Sequence, residues 1–155
     1  MPHTDTGQAV VAGPPGEVFA ALTSARARTV WLPPEGLTGR FERFDARPGG
    51  DYRIVLSYDD RAIAGKSGAG TDVVEGRFVA LEEPALVVEE VDFVADDPAF
   101  GGTMTMRWSV QPHPDGAIVT ITAEDVPDGI ARADHEAAFA STLAKLDAFL
   151  RALRG

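Results

Sequence analysis

The chain contains no cysteine and no asparagine among its 155 residues. The first absence excludes a disulfide framework, a thiolate nucleophile and a cysteine-ligated zinc site, and the second excludes N-glycosylation. Basic residues are also few, because 14 Lys and Arg stand against 24 Asp and Glu and leave a formal net charge of −10. A chain with this charge has no general positive field, so we expect it to bind neither nucleic acid nor an anionic membrane.

Long apolar runs are missing as well, since no segment approaches the ~18 residues of a membrane-spanning helix. The first ten residues lack the basic and apolar segments of a secretory signal. We therefore expect a cytoplasmic protein without membrane insertion. The length fits a single domain, 1–155, that buries roughly 70 % of the surface of its unfolded chain, and we expect residues 1–7 to be flexible.

The hydrophobic period changes along the chain in an order that predicts an α+β fold. A candidate first strand at 8–12 is followed by two short helices, because Pro15 suits a first helical turn and Pro33 ends the second helix. Period-two patterns then predict strands, most clearly at 51–58, where apolar and polar side chains alternate. The predicted strands of this part are 40–44, 51–58, 73–81, 86–94, 103–111 and 117–125.

The C-terminal segment predicts one long helix over 132–154, with apolar residues recurring at steps of three and four. Strands that follow one another without intervening helices favour antiparallel pairing. We therefore predict a curved antiparallel sheet of about six strands wrapped round the C-terminal helix. The polar, glycine-rich segment 59–72 predicts a mobile surface loop, either a lid over a cavity or a passive connection.

Short motifs follow one another along the chain at 31–36, 45–53, 65–67, 71–72, 76–78, 97–99, 102–105, 126–130 and 134–137. In order and spacing they resemble the motifs of the START-like (SRPBCC) helix-grip superfamily. The closest resemblance is to bacterial single-domain members of its Aha-type family, the homologues of the activator of the 90-kDa heat-shock-protein ATPase. Two departures are Leu32, where the family often has an aromatic residue, and Ala138, where it often has glycine.

This resemblance implies an apolar cavity between the sheet and the C-terminal helix, which the superfamily uses for lipids, hormones and polyketides. It implies no particular reaction, because function depends on sites rather than folds. The alternative is an ordinary packed core without a cavity. The residues expected to line the cavity are Trp31, Tyr52, Ile54, Leu56, Tyr58, Phe78, Met104, Met106, Trp108, Phe139, Leu143 and Leu146.

Two polar residues are candidate acid–base groups. In the strand 86–94, Glu89 lies on one face while Glu90 and Asp92 lie on the other, and we hypothesise that Glu90 lies at the cavity rim, where burial would raise its pKa. The alternative is a solvated strand with both faces wet. His135 precedes Phe139 by one helical turn and could bind a ligand or exchange a proton, or it could be a surface or capping histidine.

The sequence favours binding of a small apolar or aromatic molecule in the cavity, without a cofactor or a metal site. The only other histidines are His3 and His113, and neither stands in a metal-ligand motif. One alternative is an aromatase/cyclase-like or hydrolytic enzyme that uses a cavity carboxylate or His135. A second is a co-chaperone-like module with a chaperone partner, and a homodimer could form through an exposed strand edge.

Overall fold

The computed structural model describes residues 2–154, and the predicted α+β helix-grip fold is confirmed. Seven strands form one sheet, and three α-helices flank it. In chain order the elements are β1 (His3–Val11), α1 (Pro15–Leu22), α2 (Ala25–Trp31), β2 (Leu37–Phe44), β3 (Asp51–Tyr58), β4 (Thr71–Glu82), β5 (Leu86–Val94), a 3-10 helix (Pro98–Phe100), β6 (Met104–His113), β7 (Gly116–Val126) and α3 (Arg132–Arg154).

The strand order is β1-β7-β6-β5-β4-β3-β2, and every neighbouring pair is antiparallel. The seven strands agree with the expected sheet of about six and correspond to the candidate strand at 8–12 and the six strands predicted after it. Strand β1 begins five residues before the predicted start because its polar half also pairs with β7, where Thr6 lies opposite Thr122. Of the segment expected to be flexible, residues 3–7 therefore belong to the sheet, and Met1 lies outside the described residues.

The two faces of the sheet differ as the period-two pattern predicts. On β3, Tyr52 and Ile54 are buried on the inner face. Between them, Arg53 lies on the outer face and donates hydrogen bonds to Glu42 at 2.7 Å and to Glu75 at 2.9 Å. Charge pairs across neighbouring strands thus cover the side of the sheet that faces away from α3.

Helix α3 has 23 residues, a length of about 34 Å at ~1.5 Å per residue. It packs on β1, and Gly7 makes this close packing possible: a Cβ atom at that position would lie 2.9 Å from Cβ of Phe139. The start of α3 therefore comes to lie beside the first residues of β1. No helix among residues 2–154 has both the length and the apolar character needed to cross a membrane.

Helices α1 and α2 carry side chains into the space between sheet and α3. The hydroxyl of Ser24 accepts a hydrogen bond from the backbone N–H of Ala27 at 3.1 Å, which caps the start of α2. At the other end, Trp31 Nε1 donates to the carbonyl of Ala21 at 3.1 Å, and its ring meets Trp108 edge-on at 5.4 Å. Arg28, one turn before Trp31 on the same face, is thereby buried.

Candidate functional site: a cavity between the sheet and α3

A cavity of about 330 Å³ lies between the inner face of the sheet and α3. Its wall is mainly apolar, and Ala138 and Thr142 contribute the helix side together with Phe139. Two methionines of β6 lie in the wall, and their flexible thioether side chains adapt to irregular shapes. Eight of the twelve residues expected from the sequence line it, namely Tyr52, Ile54, Leu56, Tyr58, Met104, Met106, Trp108 and Phe139.

The other four expected residues are buried in the core but do not line the cavity. Trp31 packs against Trp108, and Phe78 packs against Tyr52 with ring centroids 5.5 Å apart, so both lie behind wall residues. Leu143 and Leu146 lie further along α3, where the helix packs directly against the core. For these residues a packed core, the alternative to a cavity, is the correct description.

Of the two neighbouring glutamates of β5, Glu89 reaches the cavity wall, and the hypothesis that Glu90 lies at the rim is wrong. Glu89 is 1 % exposed and lines the cavity, whereas the side chain of Glu90 is 44 % exposed. Glu90 lies on the outer face, with one oxygen 3.6 Å from Nε of Arg77. Period-two alternation separates the two glutamates, but only the position of a partner inside the fold decides which of them points inward.

That partner is Arg28, which forms a buried ion pair with Glu89. Arg28 Nη1 donates to one oxygen of Glu89 at 2.7 Å, and Trp108 Nε1 donates to the other at 2.7 Å. Arg28 Nε donates to the carbonyl of Leu22 at 2.6 Å. Burial would lower the pKa of Arg28, but the carboxylate of Glu89 and the nearby Tyr52 together outweigh it and raise that pKa. Arg28 therefore stays charged, and the pair is neutral as a whole.

Aromatic rings enclose the Arg28 guanidinium. Its central carbon lies between 5.4 and 6.0 Å from the centroids of five rings, so cation–π attraction adds to the ion pair. Among residues 2–154 its Nη2 has no hydrogen-bond acceptor, and it has almost no accessible surface. Burial, with Glu89 close by, raises the pKa of Tyr52 well above its usual value, so this phenol stays protonated. The rings are those of Trp31, Phe44, Tyr52, Phe78 and Trp108.

A second polar cluster in the wall joins Tyr58, Asp72 and Lys66. The Tyr58 hydroxyl donates to Asp72 Oδ2 at 2.7 Å, and Lys66 Nζ donates to the same oxygen at 3.0 Å. Burial and the Asp72 carboxylate raise the pKa of Tyr58, so its hydroxyl remains a donor. Lys66 Nζ also lies 5.3 Å from the centroid of Phe93, which lines the same cavity. This cluster connects the segment 59–70 to the cavity wall.

A third polar cluster is centred on Asp5 and includes His135. Asp5 is 1 % exposed, and its carboxylate accepts hydrogen bonds from His135 Nδ1 at 2.7 Å, His3 Nε2 at 3.0 Å and Arg132 Nε at 3.1 Å. Burial would raise the pKa of Asp5, but the hydrogen bonds from His135 and Arg132 outweigh it and lower that pKa. His135 itself lines the cavity, so it is not an ordinary surface histidine.

Sequence reasoning missed several of these polar residues. Arg28 carries a usable signal, because it precedes Trp31 by three residues and so shares its buried helix face. Asp5 carries none, since it stands in a polar segment whose pairing partner is more than a hundred residues away. Across residues 2–154, no three His, Asp or Glu side chains form a group that could hold a metal ion.

Comparison with known proteins gives a family and a set of similar structures. The family model "Activator of Hsp90 ATPase homolog 1-like protein" matches residues 12–151. No curated protein matches the chain. Protein CV1439 from Chromobacterium violaceum has a similar structure, with a TM-score of 0.84 and 27 % identity over 97 % of this chain and 98 % of that one.

Two further structures are similar in fold. A protein from Rhodobacter sphaeroides has a TM-score of 0.78 and 20 % identity over 97 % of this chain and 94 % of its own. DynU16, a protein of the dynemicin biosynthetic locus, has a TM-score of 0.70 and 15 % identity over 96 % of this chain and 47 % of its own. The match over residues 12–151 and the helix-grip fold lead to one conclusion: the chain belongs to the family of Activator of Hsp90 ATPase homolog 1-like proteins.

Proposed function

We propose that the protein binds a small, uncharged, mainly apolar or aromatic molecule in the cavity between the sheet and α3. The observation that carries this proposal is the cavity itself, whose volume of about 330 Å³ lies within the ~300–1,000 Å³ of small-molecule sites. A mainly apolar wall with a few fixed polar groups is the usual composition of such sites. The family is known for ligand-binding cavities, which supports the same function.

Burial of apolar surface supplies the affinity, at roughly 25 cal/mol per Å² less the cost of ordering the ligand. The charges of Arg28 and Glu89 cancel each other in the wall. A charged ligand group beside this pair would lose its hydration and meet charges that are already paired, because the remaining Arg28 donor, Nη2, has almost no accessible surface. Neutral ring systems therefore suit this end of the cavity better than fatty acids or other anions.

The binding experiment uses thermal unfolding with naphthalene, 2-methoxynaphthalene and 2-naphthol as neutral aromatic probes. A ligand at 100 times its Kd raises the free energy of unfolding by about 2.7 kcal/mol, which gives a clear increase in Tm. Tryptophan emission provides a second signal, because Trp108 lines the cavity and the chain has only two tryptophans.

Matched variants on α3 locate the binding. Ala138 lines the cavity, so Ala138→Leu should fill part of it and abolish the increase in Tm. Ala137 is the adjacent exposed residue, and Ala137→Leu should leave the increase intact. The proposal is contradicted if no probe changes Tm or emission, or if the two variants respond alike. A chaperone partner and a homodimer stay predictions.

A further inference from the structure

In the His135–Asp5 pair, one ring nitrogen of a residue that lines the cavity is an unused acceptor. The other unused nitrogen of the wall, Arg28 Nη2, is a donor with almost no accessible surface. His135 is on α3, lines the cavity and gives Nδ1 to Asp5 at 2.7 Å. The Asp5 side chain is fully buried, and the His135 side chain is 11 % exposed. Among the hydrogen bonds of residues 2–154, none involves His135 Nε2.

The partner of Nδ1 fixes the tautomer of His135. The lowered pKa of Asp5 keeps its side chain an ionised carboxylate, which can only accept hydrogen bonds. Nδ1 must therefore carry the ring proton and donate it to Asp5. Burial lowers the pKa of His135 and outweighs the opposing effect of Asp5, so the ring is neutral at pH 7. In a neutral ring protonated at Nδ1, the Nε2 atom has a free lone pair and accepts a proton.

The surrounding residues hold this arrangement in place. Arg132 Nε bonds one oxygen of the Asp5 carboxylate and His3 Nε2 bonds the other, and these two bonds restrict its rotation. The His135 ring also packs on Phe139, with centroids 4.2 Å apart. Gly7 allows α3 to approach β1 closely enough for the contact. A buried carboxylate that orients an imidazole is the arrangement that prepares a histidine to take a proton.

We propose that His135, oriented by Asp5, is the proton-accepting site for a cavity ligand with an acidic hydroxyl group, such as a phenol or an enol. This inference rests on the proposed binding function and names its ligand class. In the bound state the ligand O–H donates to Nε2. Full transfer breaks the O–H bond, forms an N–H bond at Nε2 and leaves the electron pair on the ligand oxygen, while Asp5 stabilises the imidazolium through Nδ1–H.

The chemistry of a neutral imidazole excludes other ligand groups at this position. A carboxylate is ionised at neutral pH and has no proton to donate, so it gains nothing from Nε2. A methyl ether has no proton either. The hydroxyl group is thus the feature that separates a ligand recognised by His135 from one held only by apolar contact.

The test compares 2-naphthol with 2-methoxynaphthalene, because the two share a ring system and differ in the hydroxyl proton. The wild-type protein should bind 2-naphthol about five- to tenfold more tightly, the effect of one buried hydrogen bond. His135→Phe keeps a ring against Phe139 but removes the acceptor, so it should bind the two probes equally. Glu136→Gln, at the adjacent exposed position, should keep the preference.

A pH series adds a readout that a merely structural role would not change. As pH falls through the lowered pKa of His135, the ring gains a proton at Nε2, so affinity for 2-naphthol should fall while affinity for 2-methoxynaphthalene stays constant. In His135→Phe, the affinities for both probes should stay constant over the same pH range. The charged or titratable groups that act on His135 or lie beside it in the wall are His3, Asp5, Lys66, Arg132 and Asp134.

Three results separate the inference from the proposed function. If both probes bind equally to the wild type, or if His135→Phe keeps the preference, the inference is wrong and the cavity proposal stands. If neither probe binds, the proposed function is contradicted for bicyclic aromatics and the inference fails with it. Asp5→Asn provides an independent check. If Asp5 orients His135, this variant should lower the preference for 2-naphthol over 2-methoxynaphthalene while circular dichroism shows that the protein is still folded.

Discussion

Two of the ionic groups at the cavity wall, Arg28–Glu89 and Asp5–His135, differ in how many of their polar atoms are already paired. In the Arg28–Glu89 pair, both carboxylate oxygens accept hydrogen bonds and aromatic rings enclose the guanidinium. In the Asp5–His135 pair, the carboxylate accepts three hydrogen bonds, but His135, which lines the cavity, keeps one ring nitrogen without a partner. We infer that the Arg28–Glu89 pair serves the fold, whereas the Asp5–His135 pair is available to a ligand.

The largest effect on stability is expected when the Arg28–Glu89 ion pair is broken. Glu89→Gln leaves the Arg28 charge buried without compensation, which should lower the free energy of unfolding by about 3–5 kcal/mol in urea denaturation. Glu90→Gln, one residue along β5 and half-exposed on the outer face, should change it by less than about 1 kcal/mol. A similar loss in both variants would contradict the distinction between the two faces.

A double replacement at Arg28 and Glu89 distinguishes the effect of an uncompensated charge from the effect of lost packing. Arg28→Met with Glu89→Leu removes both charges and leaves apolar groups of similar volume, so most of the stability lost in Glu89→Gln should return. If the double variant is no more stable than Glu89→Gln, lost packing rather than an uncompensated charge explains the effect.

An intermediate loss of stability is expected from a substitution at Gly7, where β1 and α3 are in close contact. Gly7→Ala places a Cβ atom 2.9 Å from Cβ of Phe139, so strand or helix must shift, at a cost of about 1–3 kcal/mol. The shift also separates Asp5 from His135, so the preference for 2-naphthol should fall. Gly16→Ala in α1 meets nothing within 4 Å and should be neutral or stabilising by up to about 1 kcal/mol.

The smallest expected effect is a pH dependence of the free energy of unfolding. It involves the Asp5–His135 pair and not the Arg28–Glu89 pair. Since burial lowers the pKa of His135, the unfolded chain binds a proton at this residue more readily than the folded protein. Stability should therefore fall as pH decreases from the unfolded value near 6.5 through the lowered folded value. The wild type should show this loss in urea titrations between pH 7.5 and pH 5, and His135→Phe should show less of it.

The sequence predicts the fold because period-two strands and a periodic C-terminal helix are local patterns. It also predicts much of the cavity wall, since alternate residues of β3 and β6 must share a face, as Tyr52, Ile54 and Met104 do. The expectation extends too far along α3, because Leu143 has the same helical period as Phe139 but meets packed core rather than space.

The polar part of the site depends on contacts that no local pattern contains. Alternation separates Glu89 from Glu90 without showing which is inside, and the answer comes from Arg28, 61 residues earlier. Asp5 is 130 residues from His135 and meets it only because β1 joins the edge of the sheet beside α3. Such long-range pairs require the three-dimensional arrangement of the elements.

The most direct measurement of the central claim is a crystal structure of the protein with 2-naphthol. Cavity binding predicts the ring system between the inner face of the sheet and Phe139, with its oxygen about 2.7–3.0 Å from His135 Nε2. The result that would contradict the account is an empty cavity with 2-naphthol absent or held on the outer face of the sheet.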